Sequence, residues 1–341
     1  MMKISTLGLD IAKHVFQIHG VDDEGKVVVR RRLRRSEVLT FFARQPAAVV
    51  GMEACATSHY WARELRALGH EVRLMPAQYV KPYVKRQKND ATDAEAICEA
   101  VGRPSMRFVP VKSAEQQAAL MLHRSRDLLV RQRTMLINAL RGHLAEFGLI
   151  EARGPGRIAR LIAIIEGDGD HIPEPARHAL APLIAQLRSA GEQIETLEAR
   201  ILAWHKQSDV SRRLATIPGV GPITASAIAA SVPDAKAFSS ARQFAAWIGL
   251  VPRQNSTGGK SRLGRISKQG DAYIRRLLII GAQSVLRWTR PAKSNVWTIS
   301  LLGRRPRKVV AVALANKMAR IIWALMVRGE NYRQPMIATA I

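Results

Sequence analysis

The sequence predicts an α/β domain followed by two helical regions, on three observations. The first hundred residues alternate short β-branched runs with helical stretches, the pattern of a mixed sheet with helices packed on it. The next hundred hold two long helix candidates. Residues 211–341 concentrate the positive charge, with 22 Lys and Arg against 3 Asp and Glu. At 341 residues two or three domains are expected, and the boundaries fall at 1–110, 111–210 and 211–330, with a loose tail over 331–341.

Element by element, Ser5–Val21 is an alternating, apolar first strand, and Asp22-Asp23-Glu24-Gly25 is a hairpin turn into a second strand ending at Leu33. A helix over Ser36–Arg44 has Ser36 as its N-cap. Ala47–Ala54 is a buried-type strand. Ser58–Leu68 is a helix with Tyr60, Trp61, Leu65 and Leu68 as its apolar stripe, and Gly69 closes it. His70–Met75 is a strand and Asp90–Val101 a helix.

The composition bounds the function. Hydrophobic residues make up 47% and charged residues 23%, a globular balance that excludes a disordered or collagen-like chain. The net charge of +26 is too local to serve solubility alone and points to a polyanionic partner, DNA or RNA. Two cysteines, Cys55 and Cys98, without a Cys-x-x-Cys pair disfavour a disulfide framework or a thiolate metal site. With neither a run of 18 apolar residues nor a secretory leader, the expected location is the cytoplasm, near the nucleoid.

Acidic residues are scarce in the first domain's strands, so their positions carry information. Asp10 interrupts the apolar string Leu7-Gly8-Leu9-Asp10-Ile11, and Glu53 ends the Val49-Val50-Gly51-Met52 strand. Asp90 and Asp93 open a helix at i, i+3 spacing, which puts both on one face. Converging carboxylates repel one another, and hard divalent cations, Mg²⁺ or Mn²⁺, relieve that repulsion. Two such ions suit phosphodiester chemistry. An N-cap role for Asp90 and a strand-end ion pair for Glu53 are the structural alternatives. Glu95 and Glu99 are expected on the outer face of the helix.

The segments GLDIAK, GMEACATSHYW and KRQKNDATDAEAI resemble the catalytic acids of a RuvC-like nuclease domain of ribonuclease H fold. From residue 3 to about 330 the chain is similar to bacterial insertion-sequence transposases with an Asp-Glu-Asp-Asp tetrad, relatives of the pilin-gene invertase. The resemblance implies that Asp10, Glu53, Asp90 and Asp93 bind the metal ions. Lys85, Arg86 and Lys88 would then contact phosphates or form a solvated turn.

In the middle region, Ala114–Phe147 and Pro175–Gln207 are long helices. Leu180, Leu183, Leu187, Ala190, Ile194, Leu197, Ile201 and Trp204 step by 3 and 4, a coiled-coil seam. The seam pairs either with the first helix of its own chain or with another protomer. The family resemblance implies dimers and tetramers on DNA.

In the last region, Ile217-Pro218-Gly219-Val220-Gly221-Pro222 before ITASAIAA has the pattern of a helix-hairpin-helix, with Gly219 and Gly221 allowing a tight turn and a helix N-terminus that binds phosphate. A second helix over Ser240–Leu250 buries Phe244, Trp247 and Ile248. The stretch Val251–Asp271 is a polar, Gly-rich loop bearing Arg253, Lys260, Arg262, Arg265 and Lys268, a phosphate-binding composition. In the resembled family a serine of this loop is the covalent nucleophile. Ser256 fits best, with Thr257 and Ser261 as alternatives because Thr257 intervenes before the glycines. Ala272–Arg287 is a helix with Arg275 and Arg276 outward, Trp288 and Trp297 are expected to pack against helices, with stacking on bases as the alternative, and Val309–Met326 is a final helix.

Together these readings predict a DNA transposase that cuts and rejoins strands through a phosphoserine, assisted by a noncoding guide RNA that the resemblance implies. The alternatives are a metal-dependent junction nuclease in which water attacks, and an architectural DNA-binding protein.

Overall fold

A computed structural model describes residues 4–333 except 86–88, 153, 155, 168–171 and 289–295. It divides into two compact units, residues 1–117 with 230–243 and residues 118–229 with 244–341.

The first unit is built on five strands: β1 (Thr6–Ile11), β2 (Val15–Val21), β3 (Val27–Arg34), β4 (Val49–Glu53) and β5 (Glu71–Met75). Their order is β3-β2-β1-β4-β5; the first three are antiparallel, while β4 and β5 run parallel to β1. The expected single strand Ser5–Val21 is therefore two, folded back at Ala12-Lys13-His14. Alternation runs through both halves, so it cannot by itself mark the reversal. The Asp22–Gly25 turn joins β2 to β3 as expected, with the Asp22 carboxylate accepting from the N–H groups of Glu24 and Lys26.

Helices α1 (Val38–Ala43) and α2 (Ser58–Ala67) cover one sheet face. Leu7, Leu9, Phe16, Ile18, Val50 and Met52 meet Val38, Phe42, Trp61 and Leu65 there. Ser36 is not an N-cap; it lies inside a 3₁₀ turn, Arg35–Glu37, whose Glu37 carboxylate accepts from the Arg34 N–H at 2.7 Å. On α2, Trp61 and Leu65 are buried, whereas Tyr60 and Leu68 are exposed, which corrects half of the expected stripe. After the short helix α3 (Ala77–Val80), helix α4 (Asp90–Val101) covers the other face.

Helix α5 (Ala114–Ala145) continues into the second unit, which also holds α6 (Arg157–Glu166) and α7 (Glu174–Gln207). The seam residues Leu180 and Leu187 pack with Ile184 against Leu140 and Leu144 of α5 and Leu161 and Ile165 of α6, so this part of the seam is used within the chain. The Arg126 guanidinium donates to Glu198 at 2.5 and 2.7 Å, tying α5 to α7 near their other ends.

Next come α8 (Asp209–Leu214), α9 (Pro222–Ser231) and α10 (Ala241–Trp247). The expected Gly-rich loop is a hairpin of β6 (Pro252–Gln254) and β7 (Leu263–Ile266), followed by α11 (Ala272–Arg287), α12 (Val296–Leu302) and α13 (Arg307–Arg328). Helix α13 is long and apolar enough to span a membrane. Its Val310, Ala311, Ala315, Met318 and Ile322 are nonetheless buried in the protein. Trp288 is 76% exposed rather than packed, with Arg287 over its ring. Arg275 is not outward: its guanidinium donates to the carbonyls of Ile248 and Gln269. Near the end of the described residues, the Tyr332 N–H donates to Thr216 Oγ1 at 3.0 Å.

Candidate functional site

The acidic site begins with glycines. Alternation sends Leu7 and Leu9 into the core and turns Gly8 and Asp10 toward α4. A Cβ on Gly8 would lie 2.1 Å from the Ala94 carbonyl oxygen and 2.5 Å from the Cys98 nitrogen, so helix backbone rests directly on strand backbone. A Cβ on Gly51 would meet Val101 at 2.8 Å. These two contacts set the helix at a depth that delivers its first turn to Asp10.

The helix N-cap is Asn89, whose side chain accepts from the N–H groups of Ala91 and Thr92. Asp90 is thus not the cap, and its carboxylate turns to the cluster. Carboxylate oxygens of Asp10, Asp90 and Asp93 lie within 4.8 Å of one another, and such a group can hold a metal ion. Glu53 lies outside that group yet close enough to add to the repulsion felt at Asp10. The Asp10 carboxyl is pushed up to about 6, by burial first and then by Asp93, Asp90 and Glu53. Beyond Glu53 the chain turns through Thr57 at φ +69°, a left-handed conformation costing about 1–2 kcal/mol in a β-branched residue.

Lys85 pairs with Glu95 and Glu99, each at 3.2 Å, and Arg103 pairs with Glu99. The two glutamates therefore anchor cations rather than standing free on the outer face. Arg86 and Lys88 lie outside the described residues.

The second group of expected residues sits in the other unit. Ser256 begins the β6–β7 tip, with a bridge between Thr257 and Lys260 and with Gly258 and Gly259 at positive φ. Its Oγ accepts from the Arg262 backbone N–H at 3.2 Å and from Gln254 Nε2 at 3.1 Å. Two donors at one hydroxyl oxygen favour its ionised form. Arg253, Lys260, Arg262, Arg265 and Lys268 are all exposed along the hairpin, with Arg253 donating to the Ser267 carbonyl.

The base of the hairpin is held tightly. A Cβ on Gly270 would stand 1.9 Å from the Trp247 carbonyl oxygen, and one on Gly249 would stand 2.2 Å from that of Gln269. The Asp271 carboxylate caps α11 through the N–H groups of Tyr273 and Ile274.

Gly219 and Gly221 differ from each other. Gly219, at φ +84°, presses on Gly281 and Val285 of α11, so its lack of a side chain serves packing. Gly221 has open space around its Cα.

Sequence reasoning missed a buried polar set beneath this region. His123 of α5, 1% exposed, contacts Tyr273 Oη and Ser226 Oγ, each at 3.1 Å. Ser226 gives its own proton to the Pro222 carbonyl at 2.7 Å. Nε2–H of His123 therefore donates to Ser226, and Nδ1 accepts from Tyr273. Burial, aided by Arg126, lowers the imidazole to about 4. A lone histidine in an Arg- and Leu-rich helix offers no periodic signal.

Comparison with known proteins gives two family matches along the chain. The model of the Transposase IS116/IS110/IS902 family matches residues 211–297, and a transposase model named for the Asp-Glu-Asp-Asp domain of IS110 matches residues 7–148. The "Probable family 20 transposase" of Pseudomonas aeruginosa is 54% identical, with 97% of this chain and 99% of the relative covered. The transposase for insertion sequence element IS1111A of Coxiella burnetii is 43% identical, covering 98% and 92%. The transposase for insertion sequence element IS1328 of Yersinia enterocolitica is 41% identical, covering 97% and 99%. The chain is an enzyme that acts on DNA, and its acidic group suits a divalent metal. It belongs to the IS110/IS116 family of insertion-sequence transposases.

Proposed function

We propose that this transposase cuts and rejoins DNA through a phosphoserine at Ser256, with Asp10, Glu53, Asp90 and Asp93 holding Mg²⁺ or Mn²⁺ in a RuvC-like domain. The observation that carries the reading is the convergence of Asp10, Asp90 and Asp93, with Asp10 kept at a raised proton affinity until a cation relieves it. The strand order, antiparallel through β1 and then parallel, supports the ribonuclease H type of fold.

A bound divalent ion would supply Lewis-acid polarisation of the scissile phosphate. The protein's own residues do the rest. Donors from Arg262 and Gln254 offset charge building on Ser256 Oγ as it loses its proton to solvent. Oγ bonds to phosphorus, the P–O3′ bond breaks, and the released 3′ oxygen takes up a proton. Attack of a 3′ hydroxyl on the phosphoserine then restores a phosphodiester without a high-energy cofactor. Exposed Arg253, Lys260, Arg262, Arg265 and Lys268 hold the flanking phosphates, and the α8–α9 turn at Gly219–Gly221 acts as a helix-hairpin-helix grip. By role rather than by compactness, residues 1–110 are the nuclease region, 111–210 the helical region and 211–330 the serine-bearing region. The α5–α7 pair is a coiled coil through which protomers assemble as dimers or tetramers, and a guide RNA encoded by the element selects the DNA.

The test is a denaturation-resistant protein–DNA adduct formed with Mg²⁺, labelled DNA and the element's transcript. The adduct is expected to disappear in Ser256→Ala. Hydrolysis that persists in that variant would replace this reading with the water-activated nuclease.

A further inference from the structure

Strand β3 carries Arg30, Arg31, Arg32 and Arg34 on the open edge of the five-stranded sheet. Alternation divides them. Arg31 lies over the Phe41 ring on the α1 side, while Arg30 and Arg32 belong to the face that α4 covers. Register then places the second pair. Asp10 is opposite Gln17, and Gln17 is opposite Arg32; Gly8 is opposite His19, and His19 is opposite Arg30. Asp10, Gln17 and Arg32 thus form one row across three strands. With about 4.8 Å between strands, the Arg32 backbone stands about 10 Å from that of Asp10.

The first turns of α4 close this row into a cleft of about 310 Å³, lined by Gln17, Arg30, Arg32, Ala91, Thr92 and Glu95. Glu95 is the carboxylate in the lining; it is shared between Lys85 at 3.2 Å and Arg30 at 3.9 Å. His19, also in the wall, is held below its ordinary value by burial. Among the described residues the Arg32 side chain makes no hydrogen bond or ion pair. Two or more cations therefore face one anion, beside three carboxylates that would otherwise repel a nucleic-acid strand.

We propose that this cleft seats a backbone phosphate of the DNA strand next to the phosphate held at the acidic cluster, with Arg32 and Arg30 as positioning residues. It rests on the reading that Asp10, Asp90 and Asp93 hold the scissile strand. A strand crossing that cluster along the row Asp10–Gln17–Arg32 meets the guanidinium of Arg32 next. The cations there offset the repulsion that the acids impose before a metal binds. The occupant is DNA because the row leads directly from the acids that the cut strand must reach.

The experiment measures binding of the full chain to a fluorescent duplex spanning one end of the encoding element, in EDTA, over a series of salt concentrations. The double variant Arg30→Gln with Arg32→Gln is expected to flatten the log–log salt slope by about 0.9, the release that follows one neutralised phosphate. Arg32→Lys in the Arg30 wild-type background should keep most of the slope. Lys26→Gln, at the far end of the same hairpin from Asp10, should leave it unchanged. Neutral methylphosphonates are then placed singly beside the cleaved bond. One position should weaken the wild type and have no further effect on the double variant. An unchanged slope, an equal change in Lys26→Gln, or an effect confined to binding of the element's transcript would overturn the proposal; a matching melting temperature shows that the variants fold. Because binding is read without metal, absence of the serine adduct would sink the phosphoserine reading and leave this result standing.

Discussion

Gly8 and Ala94 are in backbone contact: a single methyl on Gly8 would stand 2.1 Å from the Ala94 carbonyl oxygen. The contact lies two residues before Asp10 and one residue after Asp93, so it sets the depth at which α4 presents its acids. Gly8→Ala forces the helix away from the strand. The expected cost is about 1–3 kcal/mol, the range for overpacked cores. Titration of Mn²⁺ by calorimetry should show weaker binding in a chain whose circular dichroism is native.

Asp10 is held at about 6 by burial and by Asp93, Asp90 and Glu53. At pH 7.5 its charge therefore strains the metal-free fold. Asp10→Asn should raise the metal-free stability by about 1–2 kcal/mol, allowing for partial solvent screening, while DNA strand transfer stops. Added Mg²⁺ should raise the melting temperature of the wild type more than that of the variant. Equal responses would remove Asp10 from the metal site.

The tip hydroxyls are separable. Ser256 Oγ receives two donors, and Thr257 instead contributes a backbone bridge to Lys260. Ser256→Ala should remove the covalent adduct at least a hundredfold, on the order of losing an essential nucleophile. Thr257→Ala and Ser261→Ala should retain it; peptide mapping of the adduct checks the assignment.

The hairpin base can be tested without touching the tip. Gly270→Ala would bring a methyl to 1.9 Å from the Trp247 carbonyl oxygen at a residue with φ +68°. Adduct formation should fall, and limited proteolysis should cut first within residues 251–271. An adduct yield equal to wild type would show that the hairpin tolerates a shifted base.

His123 predicts an acid-side loss of stability. Its folded value is about 4 against 6.5 ordinarily, so between those values the unfolded chain binds more protons and stability falls as pH falls. The contribution is present above pH 6.5 and declines by up to about 3 kcal/mol toward pH 4. His19 and His205 shift in the same direction, whereas Asp10 acts oppositely below 6. Denaturant titrations at several pH values should therefore show a shallower acid slope in His123→Gln than in the wild type.

Much of this was legible along the chain because local chemistry fixes it. Apolar alternation marked the strands, Asp22–Gly25 marked a turn, and two carboxylates at i, i+3 in NDATDAEA marked an acidic helix face. Charge segregation pointed to nucleic acid. What sequence could not supply is the reversal at Ala12–His14, since alternation continues through it, and the β6–β7 pairing, since its strands are short, polar and exposed. Tertiary structure alone decided that the Asp90 carboxylate meets Asp10, that Gly219 packs on Gly281, and that Arg32 shares a row with Asp10. Each depends on which backbone approaches which, and that distance is set by packing between segments far apart in the chain, where no local residue preference reaches.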